Sequence, residues 1–163
     1  MICNILFETL FMVITVLLFT LIIIILLFSM RPKSLRKIIK QSRDISIDEF
    51  LELRNKKSGE GKRLASEKDD VPGVYIIHNH TKHKYYVGQA RKMVSRANNH
   101  FTGKGNGRVF ADYSYGDRFT IRFVALKGSG VRDLNRLERI YIKRYNAYSI
   151  GYNRTKGNKG KNS

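Results

Sequence analysis

The strongest constraint on this chain is an unbroken apolar run near its start. Residues 10–28 read LFMVITVLLFTLIIIILLF, in which only Thr15 and Thr20 are polar and no residue is charged. Coiled as a helix at about 1.5 Å per residue, this run reaches across a hydrocarbon core of about 30 Å. A helix buried in a globular core seldom runs unbroken for so long. A cleaved signal peptide needs a basic leading region and a small-residue cleavage site, and neither stands before Met30-Arg31-Pro32. Arg31, Lys33, Arg36, Lys37, Lys40 and Arg43 follow the run, and no basic residue precedes it. By the positive-inside rule the expectation is a single-pass membrane protein, its N-terminus outside and everything after Arg31 cytoplasmic. Residues 10–28 would contact the membrane, and the basic cluster could also rest on anionic headgroups.

Charge divides the remainder. Residues 31–70 hold 12 Lys and Arg against 8 Asp and Glu, whereas residues 71–163 hold 19 against 4, a net of +15 within the +18 of the whole chain. Solubility alone seldom needs so lopsided a ratio. Such a surplus calls for a polyanion, either nucleic acid or an anionic membrane surface. Cys3 is the single cysteine, which excludes an intrachain disulfide and a thiolate zinc site and suits a reducing compartment.

The expected organisation is a transmembrane helix in residues 1–30, a charged connector in 31–70 and one domain in 71–163. Within the connector, Ser46 followed by Glu49 is a capping-box pattern opening a short helix whose apolar side carries Ile47, Phe50, Leu51 and Leu53. Ser58-Gly59-Glu60-Gly61 ends it, and residues 62–70 read as a charged tether. Residues 73–77 (GVYII) and 84–88 (KYYVG) read as antiparallel strands joined by a polar loop, and residues 119–126 as a third strand with Phe119, Ile121 and Phe123 alternating against Thr120 and Arg122. Residues 89–101 and 131–145 read as helices, the second with Leu134, Leu137, Tyr141 and Tyr145 at helical spacing. The fold class expected is α/β of the α+β type: a small antiparallel three-stranded sheet flanked by helices and preceded by one transmembrane helix.

Gly73-Val74-Tyr75, ten residues, then Tyr86-Val87-Gly88 resembles the paired tripeptide that names the GIY-YIG nuclease family, with Val in place of Ile each time. Gln89-Ala90, a helix bearing Arg96 and His100, Leu137-Glu138 and Gly151-Tyr152-Asn153 then resemble the family's later motifs in the family's order. The resemblance covers residues 73–157. It implies a metal-dependent endonuclease that hydrolyses phosphodiester bonds of DNA, with RNA as an alternative substrate and no small-molecule cofactor.

The block from residue 71 holds four carboxylates: Asp112, Asp117, Asp133 and Glu138. The first two flank a turn-like stretch and Asp133 reads as a first-turn helix residue, which leaves Glu138 as the best metal ligand, the role the resemblance also gives it. One carboxylate suits a single Mg²⁺ or Mn²⁺ completed by waters and phosphate oxygens rather than a two-metal clamp. The competing reading is a helix-surface Glu paired with Arg139 or Lys143. Arg96 and His100, four apart, share a helix face. The resemblance makes Arg96 the clamp on the scissile phosphate, where a planar guanidinium holds two oxygens at once. His100 would add a second polar contact, or be an ordinary helix-end histidine.

The resemblance further implies Tyr75 as general base, with Tyr86 orienting water or substrate and Asn153 holding the site in place. Taken alone, both tyrosines read equally well as sheet aromatics. Gly88 would admit the nucleic-acid backbone, while Lys92, Lys104, Arg108 and Arg154 would grip it. The glycine-rich stretch of residues 103–108 lacks the strand, spacing and Lys-Ser/Thr pair of a phosphate-binding P-loop and reads as a flexible basic loop. The tail residues Arg154, Lys156, Lys159 and Lys161 read as a mobile backbone grip. His78, His80 and His83 have no Cys or carboxylate nearby in sequence to complete a zinc site.

An alternative of a different class is a catalytically silent nucleic-acid-binding module of the same fold, which the filled motif positions argue against. Either reading of the charge makes nonspecific affinity for DNA fall steeply with salt, because several Lys and Arg displace counterions. The slope of log affinity against log salt in a titration measures this, and a flat response would contradict nucleic-acid binding.

Overall fold

Runs of β-branched and aromatic residues, and in one stretch an alternation of apolar with polar residues, lay out the sheet. The computed structural model describes residues 2–29, 35–55 and 70–158. The chain divides into two units, Met1–Pro32 and Lys33–Ser163.

The first unit is helix α1 (Ile2–Ser29). Thr15 and Thr20 donate their hydroxyls to the carbonyls of Met12 and Leu17 at 2.8 Å each, so neither adds an unsatisfied polar group to the apolar surface. The expected single-pass anchor is not supported, because among the described residues no helix is long and apolar enough to cross a membrane. The expected topology, N-terminus outside and domain cytoplasmic, and the membrane as partner lose their support with it.

The second unit holds a four-stranded antiparallel sheet where three strands were expected. In chain order it contains α2 (Leu35–Gln41), β1 (Ile45–Ser46), α3 (Ile47–Asn55), β2 (Gly73–Asn79), β3 (Lys84–Ala90), α4 (Met93–Phe101), α5 (Gly107–Ser114), β4 (Phe119–Ala125) and α6 (Leu134–Arg144). The strand order is β1-β4-β2-β3. The additional strand is two residues long, with Ile45 opposite Ile121 and Ser46 opposite Thr120. That is too short to show alternation, and it forms because Ile45 buries against the sheet.

Two helices were also unexpected. α2 lies inside the basic cluster, which is amphipathic: Leu35, Ile38 and Ile39 are buried while Arg36, Lys37 and Lys40 are exposed. α5 begins inside the glycine-rich stretch expected to be a flexible loop, and Asn106 caps it by accepting from the amides of Arg108 and Val109. The capping pair ahead of α3 forms as read, the Glu49 amide donating to Ser46 Oγ at 3.1 Å. The Ser58–Gly61 break, the tether up to Asp69, and Lys159 and Lys161 lie outside the described residues.

Each face of the sheet buries its own cluster. Tyr75, Ile77, Ile121 and Phe123 pack with α2, α3, α4 and α5, and Phe50 and Met93 are fully buried among them. On the opposite face Val74, Ile76, Val87 and Val124 pack with Leu137 and Ile142 of α6. β3 is an edge strand, and its backbone is covered by residues far along the chain. Tyr152 N donates to Tyr85 O at 2.9 Å, while the Asn153 carboxamide accepts from Val87 N at 2.9 Å and donates to Val87 O at 2.8 Å.

α4 starts without a local cap, since Lys92 supplies no capping hydrogen bond. Asp70 caps it from outside, accepting from Val94 N at 2.7 Å and Ser95 N at 3.0 Å and placing a negative charge at the positive end of the helix. Asp70→Ala is therefore expected to lower the unfolding free energy by about 1 kcal/mol and to speed amide exchange at residues 94 and 95. Denaturant melts and hydrogen exchange check this, and unchanged exchange there would contradict the capping role.

Candidate active site

Because β2 and β3 are antiparallel, Tyr75 lies opposite Gly88 and Ile77 opposite Tyr86, so both tyrosines project from one face. The Tyr75 ring fills the space above Gly88: a Cβ there would sit 2.3 Å from its hydroxyl oxygen. Any larger residue at 88 would displace the phenol. The two tyrosine rings lie 6.2 Å apart.

From α4, His100 reaches beneath this pair. It is 1% exposed, and its Nε2 lies 3.0 Å from the Tyr75 hydroxyl. Its Nδ1 accepts from the backbone amide of Asn106 at 2.9 Å. A backbone N–H can only donate, so Nδ1 carries no proton and the neutral ring bears its proton on Nε2, donating to Tyr75 Oη. Burial, together with the positive charge of Arg96, lowers the imidazole pKa to about 4, in keeping with this neutral form. Gly105 makes the arrangement possible, as a Cβ there would meet His100 Nδ1 at 2.7 Å. Burial pushes the Tyr75 phenol far above its ordinary pKa, the Tyr86 phenol adds to this, and Arg96 opposes it. Tyr86 is also raised by burial, eased by the Tyr75 hydroxyl and Arg96.

α6 approaches from the other face. Asp133 caps it by accepting from Arg136 N at 2.8 Å, and Leu137 and Ile142 dock it on the sheet. Glu138, beside Leu137, is 8% exposed. Its Oε2 accepts from Gln89 Nε2 at 2.9 Å and from Asn158 N at 3.2 Å, and Gln89 is itself held by Asn135 Oδ1 at 2.6 Å. The carboxylate is thus buried and aimed by amides rather than paired across an exposed helix face with Arg139 or Lys143.

A cavity of about 290 Å³ collects Tyr75, Tyr86, Gly88, Gln89, Arg96, Asn106, Glu138, Asn153, Arg154, Thr155 and Asn158. Cavities of about 960 Å³ and 380 Å³ lie elsewhere, and neither has a carboxylate among its described lining residues. Seven of the residues singled out in the sequence line the small cavity, and His100 lies buried under Tyr75. Lys92, Lys104 and Arg108 do not line it; Arg108 instead sits 5.6 Å from the Tyr152 ring centroid. Gln89 stands in a motif of the resemblance but is given no role in the sequence reading, and Asn106, Thr155 and Asn158 are not singled out there. The Asn preceding a helix start was a signal for Asn106, hidden by the glycines around it.

Among the described residues no group of three or more His, Cys, Asp and Glu is placed to enclose a metal ion. The donor set suits a different kind of site. Hydrogen bonds from described residues reach only Oε2 of Glu138, in a cleft that is also lined by Arg96. Mg²⁺ and Mn²⁺ accept one such carboxylate and complete their shell with water and phosphate oxygens. His78 and His80 are instead part of an aromatic stack, with ring centroids 4.0 Å apart and His78 lying on Tyr85 at 4.1 Å.

The lowered pKa of His100 has a pH signature. Between about 4 and the ordinary value of about 6.5 the unfolded chain binds more protons, so stability rises with pH through that window and is lost as pH falls. His78, held near 4 mainly by burial, adds in the same direction. Between pH 7 and pH 5 the wild type is expected to lose about 2 kcal/mol more than His100→Gln, read from denaturant melts at each pH. Equal losses would contradict the buried neutral histidine.

A comparison with protein families matches residues 71–153 to the GIY-YIG catalytic domain. No curated protein and no solved structure matches the chain. The matched segment spans the β2–β3 pair, α4, α5, β4, α6 and Asn153, and so takes in both phenols, the arginine, the histidine and the glutamate of the cleft. The chain belongs to the GIY-YIG family of nuclease catalytic domains.

Proposed function

We propose that this chain is an endonuclease that hydrolyses phosphodiester bonds of DNA, using one divalent cation, Mg²⁺ or Mn²⁺, held at Glu138. The observation that carries the reading is convergence. β2 and β3 of the sheet, with α4 and α6 packed on its opposite faces, deliver Tyr75, Tyr86, Arg96 and Glu138 to a single cleft. The block from residue 71 that contains it bears a net charge of +15, which draws a polyanion toward it.

Arg96 is exposed, and among the described residues no carboxylate pairs with it, so its guanidinium is available to nonbridging phosphate oxygens. Tyr75 is the base. His100 donates to its oxygen, a bond that strengthens as negative charge builds there, and Arg96 is the cation of this chain that favours the phenolate. Tyr86 orients water or substrate beside it. Gln89 and Asn158 hold the Glu138 carboxylate, and Asn153 fixes the β3 backbone that carries Tyr86 and Gly88. When bound, the cation neutralises developing charge and acidifies water.

Cleavage of duplex, single-stranded and branched DNA and of RNA by the full chain, with and without Mg²⁺ or Mn²⁺, tests the reading. Glu138→Gln is expected to lower the cleavage rate at least about 100-fold with affinity unchanged or slightly higher, since it removes a negative charge. Arg96→Ala should lower both rate and affinity, and Tyr75→Phe the rate alone. If the wild type binds every form and cuts none, the silent binding module is correct; if Glu138→Gln cuts as well as wild type, the metal assignment fails.

A further inference from the structure

The cavity of about 380 Å³ is lined by Arg139, Ile142, Lys143, Tyr148, Ser149 and Lys156, among others. Among the described residues it is lined by three cations and an aromatic ring but no carboxylate, and none of the three cations is in an ion pair. Tyr148 is 42% exposed, and the Lys156 ammonium lies 5.7 Å from its ring centroid.

This cavity shares its walls with the catalytic cleft. α6 contributes Glu138 to the cleft and Arg139, Ile142 and Lys143 to the cavity. The segment after Asn153 contributes Arg154, Thr155 and Asn158 to the cleft and Lys156 to the cavity. That ridge is fastened to α6 where Arg139 Nη1 donates to Asn158 O at 2.6 Å. Gly157, in the left-handed region at φ 102°, turns it there, and a Cβ at that position would lie 2.8 Å from Arg139 Cγ. Side chains of the segment therefore fall to both sides of one ridge, Arg154, Thr155 and Asn158 to the cleft and Lys156 to the cavity.

We propose that the second cavity is a nucleotide subsite for an unpaired stretch of nucleic acid strand. Arg139, Lys143 and Lys156 take the phosphate, and Tyr148 takes the base on its ring. The volume lies within the ordinary range for small-ligand pockets, about 300–1,000 Å³. Cations that track a backbone combined with an aromatic platform are what a single strand needs. Paired bases already stack on their neighbours and offer Tyr148 no free face, so the subsite selects single-stranded over blunt duplex ligands. With the nuclease reading above, on which this part rests, the favoured substrate carries an unpaired segment beside the scissile phosphate.

Fluorescence anisotropy of the full chain in EDTA, with labelled oligo(dT) and with a blunt two-strand duplex of equal charge, tests binding without cutting. Tyr148→Ala is expected to weaken oligo(dT) binding roughly ten-fold and to leave the duplex within about two-fold, while Tyr148→Phe, which keeps the ring, binds like wild type. Lys156→Gln should reduce the salt slope on oligo(dT) by about one. Equal losses on both ligands, no loss on either, or a loss in Tyr148→Phe matching that in Tyr148→Ala would overturn the subsite, even in a protein that cuts. The strand-specific loss would establish it even in a protein that never cuts, so the two proposals fail separately.

Discussion

The site depends on one side chain closing one strand edge. Val87 in β3 has a backbone N–H and C=O without a neighbouring strand on that side, and the Asn153 carboxamide occupies both. An amide is the side chain that can donate and accept in this way, so its two hydrogen bonds imitate one more strand pairing. Tyr152 strengthens the joint. Its amide donates to Tyr85 O, and its hydroxyl donates to Asp112 Oδ2 at 2.6 Å while accepting from Asn79 Nδ2 at 2.7 Å. The residues that follow are thereby brought round Glu138, with Arg154, Thr155 and Asn158 forming the far wall of the cleft.

Electrostatic differentiation follows from that closure. The described carboxylates of the catalytic domain are sorted by their partners. Asp112 and Asp117 face Lys82, at 2.6 Å and 3.4 Å, and Asp133 is spent as a helix cap. Glu138 alone faces the cleft, held by neutral amides that leave its charge uncompensated. On the opposite side His100 is neutral because its environment is buried and Arg96 is near. A neutral donor under Tyr75 leaves Arg96 and Glu138 as the formal charges on the chain's own lining between strands and helices, with Arg154 at the rim.

Much of this was legible because β4 shows period two through most of its length and the β2–β3 pair carries β-branched and aromatic runs. Phe119, Ile121 and Phe123 in β4 are buried as their alternation requires, and the paired Gly-Val-Tyr and Tyr-Val-Gly tripeptides lie on the expected hairpin. The elements that escaped notice are those whose signals are tertiary. β1 spans two residues and exists through its pairing with β4. α5 begins beside glycines that suggested a loop. The cap of α4 comes from Asp70, outside the helix it serves. Within the site, Glu138 stood out by elimination among few carboxylates, whereas Asn158 and Gln89 contribute a backbone amide and a side-chain amide whose importance arises from where the chain returns. The apolar run of residues 10–28 carried the expectation of a membrane anchor, which is not supported, because among the described residues no helix is long and apolar enough to cross a membrane.

Whether Glu138 anchors a single cation is the central claim, and anomalous diffraction at the manganese edge from crystals grown with Mn²⁺ reads it directly. The account predicts one strong peak at coordination distance from the Glu138 carboxylate, absent in Glu138→Gln. A pair of peaks bridged in the cleft, a peak unchanged in the variant, or one at His78 and His80 instead would contradict it.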